Sequence, residues 1–165
     1  MESGGDEALR PGEDGEAAVV RLARAKAEFV ARGESLPVLA ADTEVICDGS
    51  VLGKPESPDH ARRMIRMLAG RAHLVVTGVC LVAGDEVRVG IERTTVTFGP
   101  MSEHEIEWYV ATGEPMGKAG GYHVDGRGAY FIQSVAGSPS NVAGLPVRLV
   151  LGLARDCGVD LGLPG

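Results

Sequence analysis

Four charged side chains mark where this sequence could do chemistry. Asp42 follows a short apolar run, Val38 to Ala41. A second short run, Val45 to Cys47, is followed by the turn pair Asp48-Gly49 and then by Gly53-Lys54-Pro55. The pattern predicts a buried strand that ends at the carboxylate, then a hairpin that ends at the lysine. A carboxylate at a strand end can hold a hard divalent cation or take a proton from water. Ligands of α/β proteins collect at the carboxyl ends of buried strands. Lys26 and Lys118 add two further cations. Acids with several lysines around one cleft suit phosphoryl chemistry, with a metal on the acids and phosphates on the lysines. Each residue also has a plainer reading: Asp42 caps its own turn, Lys54 lies on the surface, and Lys26 snorkels at the edge of a helix stripe. The Gly53-Lys54 pair is not a Walker A loop, because the first glycine and the Ser/Thr after the lysine are missing.

The elements that must position these groups are legible from periodicity. Glu16 to Arg32 reads as a helix whose apolar stripe is Val19, Leu22, Ala23 and Val30, and Lys26 lies on that stripe. Pro37 to Asp42 is a continuous apolar strand, expected to be buried on both faces. Ser57-Pro58 opens a second helix with Ala61, Met64, Ile65 and Leu68 inward, and with Arg62, Arg63 and Arg66 as a solvated face. Ala72 to Ala83 and Glu86 to Gly99 read as a long antiparallel hairpin about Gly84-Asp85. Ser102 and Glu105 form a capping box for a third helix with Ile106, Tyr109 and Val110 inward. Gly113 to Gly128 holds six glycines in sixteen residues and reads as a functional loop or a disordered one; Lys118, Tyr122 and Val124 argue for order. A strand over Ala129 to Val135 and a turn over Gly137 to Asn141 follow. Ser138, Ser140 and Asn141 could cap the last helix, Val147 to Asp156, or place donors at an anion site. The expected fold is mixed α/β, a twisted mixed sheet flanked by helices, in a single domain over residues 1–165.

Composition sets outer limits. The formal charge of −7 argues against broad nucleic-acid binding, which needs a basic footprint, but a small anionic substrate needs only a few local cations. The three cysteines, Cys47, Cys80 and Cys157, have no zinc-ligand spacing and read as thiols of a reducing compartment. His60, His73, His104 and His123 form no metal or triad spacing. Met1 to Gly15 is acidic, Gly-rich and expected to be loosely ordered, and it has no apolar h-region. No apolar run reaches the ~18 residues of a membrane span. The expectation is a cytoplasmic protein.

Ala41-Asp42-Thr43, Asp48-Gly49 and Leu52-Gly53-Lys54-Pro55, in that order, resemble the core signature of the Maf family of nucleoside triphosphate pyrophosphatases. The resemblance extends through Leu22-Ala23-Arg24-Ala25-Lys26-Ala27, Leu68-Ala69-Gly70-Arg71 with His73, and Val76-Thr77-Gly78-Val79. It continues through Tyr109 to Pro115, Lys118-Ala119-Gly120, Gly126-Arg127-Gly128, Ser140-Asn141-Val142 and Gly144-Leu145-Pro146. It covers about residues 6 to 155.

The resemblance implies a Maf/ITPase-like fold and hydrolysis of a nucleoside triphosphate to the monophosphate and pyrophosphate, house-cleaning the nucleotide pool with a divalent metal, Mg²⁺ or Mn²⁺. Asp42 matches the family's proton-accepting aspartate, and Lys26 and Lys54 its phosphate-binding lysines. Lys118 joins them on the substrate. Glu7, in Asp6-Glu7, matches an acid that helps Asp42 hold the metal, and Thr43 a position linked to base selectivity. A homodimer is implied as well. Two departures stand out. The subfamily acting on thymidine and uridine triphosphates carries Gln where this sequence has Asp125, so pyrimidine preference is not carried over from the motif. The family also opens with a strand and a Ser-x-Ser-Pro-Arg-Arg loop that grips the phosphates. Met1 to Gly5 has no such motif, and the expectation is a form lacking that loop. Two further readings follow: a truncated homologue that binds nucleotide and acts through a partner without turnover, and an enzyme for noncanonical purine triphosphates.

Overall fold

Alternation along one long strand decides the layers. In the computed structural model, which describes residues 10–162, β3 (Ala72–Ala83) lies between β1 (Val38–Cys47) and β4 (Glu86–Phe98). β2 (Ser50–Leu52) and β5 (Ile132–Ala136) complete the order β2-β1-β3-β4-β5. Cys80 and Val82 of β3 pack with Ala23 and Ala27 of α1 (Gly15–Ala31). Residues of opposite parity face the other layer. There Val75 meets α2 (Pro58–Leu68) and α3 (Glu103–Ala111), while Val79 and Leu81 meet α5 (Val147–Asp156). A one-turn helix, α4 (Pro139–Val142), precedes α5. β3 is therefore covered on both faces.

The expected α/β architecture, a sheet flanked by helices, is found. All pairings among the described strands are antiparallel. The two-residue loop Asp48-Gly49 has φ of 49° and 77°, the pair of positive values that a tight hairpin turn needs. Ser57 caps α2, accepting from the His60 N–H, with Pro58 in the first turn. Ser102 and Glu105 close both halves of the capping box of α3. The arginines of α2 are more than a solvated face: Arg62 donates to Glu107 and Arg66 to Glu103, bridging α2 to α3.

Three expectations need correction. β1 does not end at Asp42. It runs on to Cys47, with Asp42 at mid-strand opposite Gly78. Nor is it buried on both faces, since Leu39 is 39% exposed. β2 pairs only with Val45–Cys47, so among the described strands the preceding part of β1 is hydrogen-bonded on the β3 side alone. The last strand begins at Ile132, because residues 127–131 form a 3₁₀ turn instead. Of the segment before α1, residues from 10 on are described, and there Glu13 binds the Arg21 guanidinium through both oxygens at 2.7 Å.

Gly78 sets how closely α1 approaches the sheet. A Cβ there would lie 2.4 Å from the Val19 carbonyl carbon and oxygen and 2.6 Å from the Val20 nitrogen. The absence of a side chain brings α1, and Lys26 with it, down onto β1 and β3.

His73 supports the opposite layer. Its ring meets Phe98 and Tyr122 edge to face at 5.1 and 5.4 Å, and Nε2 lies 2.9 Å from the Tyr122 hydroxyl. Nδ1 is buried without a hydrogen-bond partner. Burial lowers the imidazole from its ordinary 6.5 to about 4. The folded protein thus favours the neutral ring, a contribution complete above pH 6.5 and lost as pH falls through about 4. Urea unfolding at pH 7 and pH 4 should show a larger acid loss in the parent than in His73→Gln, by up to about 3 kcal/mol. Equal losses would show that His73 does not titrate in the fold's acid transition.

Candidate active site

A polar contact joins α1 to β1 just before the stretch of β1 that pairs with β2. Lys26 Nζ donates to Asp42 Oδ1 at 2.7 Å, and both side chains are largely covered, at 28% and 15% exposure. On β1 the side chains alternate. Asp42 and Glu44 lie on the α1 side, while Thr43 and Val45 lie on the other. Thr43 Oγ1 sits 2.9 Å from the hydroxyl of its cross-strand neighbour Thr77.

Loops supply the remaining cations. Lys54 follows β2, and Lys118 belongs to the glycine-rich segment, which is ordered. Gly120 N–H donates to the Gly53 carbonyl at 3.0 Å, joining the two lysine loops by a backbone bond. Gly120 has φ of 67°, and a Cβ there would come within 2.8 Å of Val45 Cγ2, so the loop lies directly on β1. Glu114 anchors the same segment, accepting from the Tyr109 hydroxyl and from the Arg127 and Gly128 N–H groups, all at 2.9 Å. Burial works to raise its carboxyl, but these donors outweigh it and hold Glu114 below its ordinary range. Buried Asn141 donates to the Val75 carbonyl and to Thr94 Oγ1, fixing α4 and with it Val142–Gly144 at the site. Ser138 caps α4 and not the last helix, while Ser140 Oγ accepts from Val147 N–H at the start of α5.

These groups line two neighbouring clefts of about 270 and 280 Å³ that share Lys26, Asp42, Thr43, Lys54 and Ala119. The first also receives Lys118, Tyr122, His123 and Gly144, and the second Leu22, Glu44 and Gly53. The structure therefore brings together Lys26, Asp42, Thr43, Lys54 and Lys118. Asp125 is exposed and lines neither cleft. Glu7 lies outside the described residues.

Sequence reasoning missed Glu44. Its Oε2 is buried with no hydrogen-bond partner. Burial first, and then the Asp42 carboxylate, push it up to about 7 against the opposing pull of Lys54 and Lys26. The signal was its two-residue spacing from Asp42, which puts both acids on one strand face.

Among the described residues no group of three or more His, Cys, Asp or Glu could hold a metal ion. Asp42 and Glu44 nonetheless offer hard oxygen donors, and the orphaned Glu44 oxygen is the kind of atom a cation satisfies. The donor chemistry fits a divalent ion such as Mg²⁺ or Mn²⁺.

With this geometry in place the comparisons are informative. A family model described as Maf-like protein matches residues 1–157. The chain belongs to the Maf family. A dTTP/UTP pyrophosphatase of Anaeromyxobacter sp. is 48% identical over 161 residues, spanning 94% of this chain and 77% of the relative. One from Chromobacterium violaceum is 44% identical over 162 residues, 94% of this chain and 82% of the relative. One from Symbiobacterium thermophilum is 48% identical over 144 residues, 87% and 74%. The expected class, a nucleoside triphosphate pyrophosphatase, is that of these relatives. No described helix is long and apolar enough to cross a membrane.

Proposed function

We propose that this Maf-family chain hydrolyses dTTP and UTP to the monophosphate and pyrophosphate, acting in the cytoplasm on free nucleotides. The observation that carries the reading is the convergence of Lys26, Lys54 and Lys118 with Asp42 on one cleft. Three ammonium groups suit a triphosphate chain, and Thr43, Tyr122, His123 and Gly144 of the same cleft suit the nucleoside. The relatives' names supply the two bases; Asp125, where the subfamily carries Gln, is exposed and lines neither cleft.

Asp42 takes the proton of a water that attacks the α-phosphorus, and pyrophosphate departs as the α–β bridging bond breaks. Lys26 orients Asp42 through the 2.7 Å contact. Lys54 and Lys118 bind the phosphates, balancing charge that builds on the leaving pyrophosphate. Asp42, with Glu7 on the family resemblance, would hold a divalent ion, Mg²⁺ or Mn²⁺, which polarises the phosphoryl oxygens when bound. The resemblance also supports a homodimer.

Pyrophosphate release from a panel of ribo- and deoxyribonucleoside triphosphates, with Mg²⁺ or Mn²⁺, tests the reading. It expects dTTP and UTP to lead. Preference for inosine or xanthosine triphosphate would transfer the site to purines, and thermal stabilisation by nucleotide with no release would favour a binding protein.

A further inference from the structure

Among the described residues that line the clefts, Glu44 is the carboxylate that the proposed chemistry leaves without work. It lies two residues from Asp42 on the same face of β1, about 6.7 Å along the strand, close enough for two side chains to converge on one small ion. Its Oε2 is buried with no hydrogen-bond partner, although Lys26 and Lys54 line the same cleft. Lys26 donates to Asp42, not to Glu44. A buried acceptor left unmade is costly, and carboxylates in that position are retained where something else satisfies them. Glu44 lines the same cleft as Asp42, with Leu22 of α1 beside them.

We propose that Glu44 is a cation-holding residue, placing its carboxylate on the same divalent ion as Asp42. Two acids from alternate residues of one strand present hard oxygens from a rigid element, the donor type that Mg²⁺ and Mn²⁺ take. The ammonium groups of Lys26 and Lys54 flank the pair and leave room for the anionic substrate to complete the ion's shell. The assignment rests on the nucleotide-hydrolase reading for its substrate but not for its test, which is made without nucleotide.

Mn²⁺ is titrated into the full chain at fixed pH and free Mn²⁺ is read by electron paramagnetic resonance. Glu44→Gln is expected to weaken Mn²⁺ binding tenfold or more. Glu44→Asp, which keeps the charge, should retain most of the affinity. The metal-free Gln variant should melt no lower than the parent, since it loses an unpaired buried carboxylate. Mn²⁺ affinity of Glu44→Gln within twofold of the parent, equal affinities of the Gln and Asp variants, or no Mn²⁺ uptake by the parent at millimolar concentration would overturn the assignment. A parent that hydrolyses dTTP while Glu44→Gln binds Mn²⁺ normally sinks this assignment alone. A parent that binds Mn²⁺ through Glu44 but hydrolyses no triphosphate sinks the functional reading alone.

Discussion

Asp42→Asn is expected to lower kcat for dTTP and UTP by roughly 10²–10⁴-fold, the range a positioned general base supplies. The substitution keeps the shape of the side chain and removes its charge, so water loses its proton acceptor and the cation loses a ligand. Lys54 and Lys118 still meet the phosphates, so KM should move less than kcat, which separates lost chemistry from lost binding. The fold should survive. Asp42 and Lys26 both keep some solvent access, at 15% and 28%, so neither is sealed in the core. A cost of about 1 kcal/mol would lower the melting temperature by ~2–4 °C. Steady-state kinetics on both nucleotides, with a melting curve on the same sample, decide the matter. A kcat within tenfold of the parent would remove Asp42 from the role of base.

Gly78→Ala should do its damage through the fold. The new methyl would meet the Val19 carbonyl at 2.4 Å, and backbone in the middle of a helix cannot turn aside as a side chain can. α1 must lift from the sheet or β3 must bend. Overpacking of this kind costs about 1–3 kcal/mol and sometimes more, and the upper end is expected here because the obstacle is main chain. Lys26 lies two turns further along the same helix, so any tilt opens its 2.7 Å contact with Asp42. An ångström of misplacement can cost on the order of 10²-fold in rate. Urea unfolding should therefore show the destabilisation, and activity measured where the variant is still folded should fall as well. Stability within about 0.5 kcal/mol of the parent, with full activity, would mean that α1 is not held at that distance.

Much of this was legible in the residue order because local chemistry and tertiary structure agree there. The Asp48-Gly49 turn, the Ser102 capping box and the β3–β4 hairpin are determined by a few neighbouring residues, and each formed as expected. β1 was harder. Asp42-Thr43-Glu44 interrupts the apolar run, which reads as the end of a strand. The strand continues because its backbone pairs with β3 as far as Ile46, while its side chains there line a polar cleft and not the core. That local misreading also hid Glu44, since an acid beyond a strand's end has no face to share. The start of β5 was misplaced for a different reason. Arg127 and Gly128 spend their N–H groups on Glu114, thirteen and fourteen residues earlier, and a contact of that span leaves no periodic trace. The narrow space over Gly78 is likewise a property of two elements meeting, invisible in either alone.

The bond from Gly120 N–H to the Gly53 carbonyl has a mechanical meaning. Lys54 and Lys118 sit one and two residues from its two ends, in segments separated by more than sixty positions. A phosphate that draws one lysine inward pulls on the peptide that steadies the other. The same amide fixes the spacing of the two cations, since neither loop can shift far without stretching it.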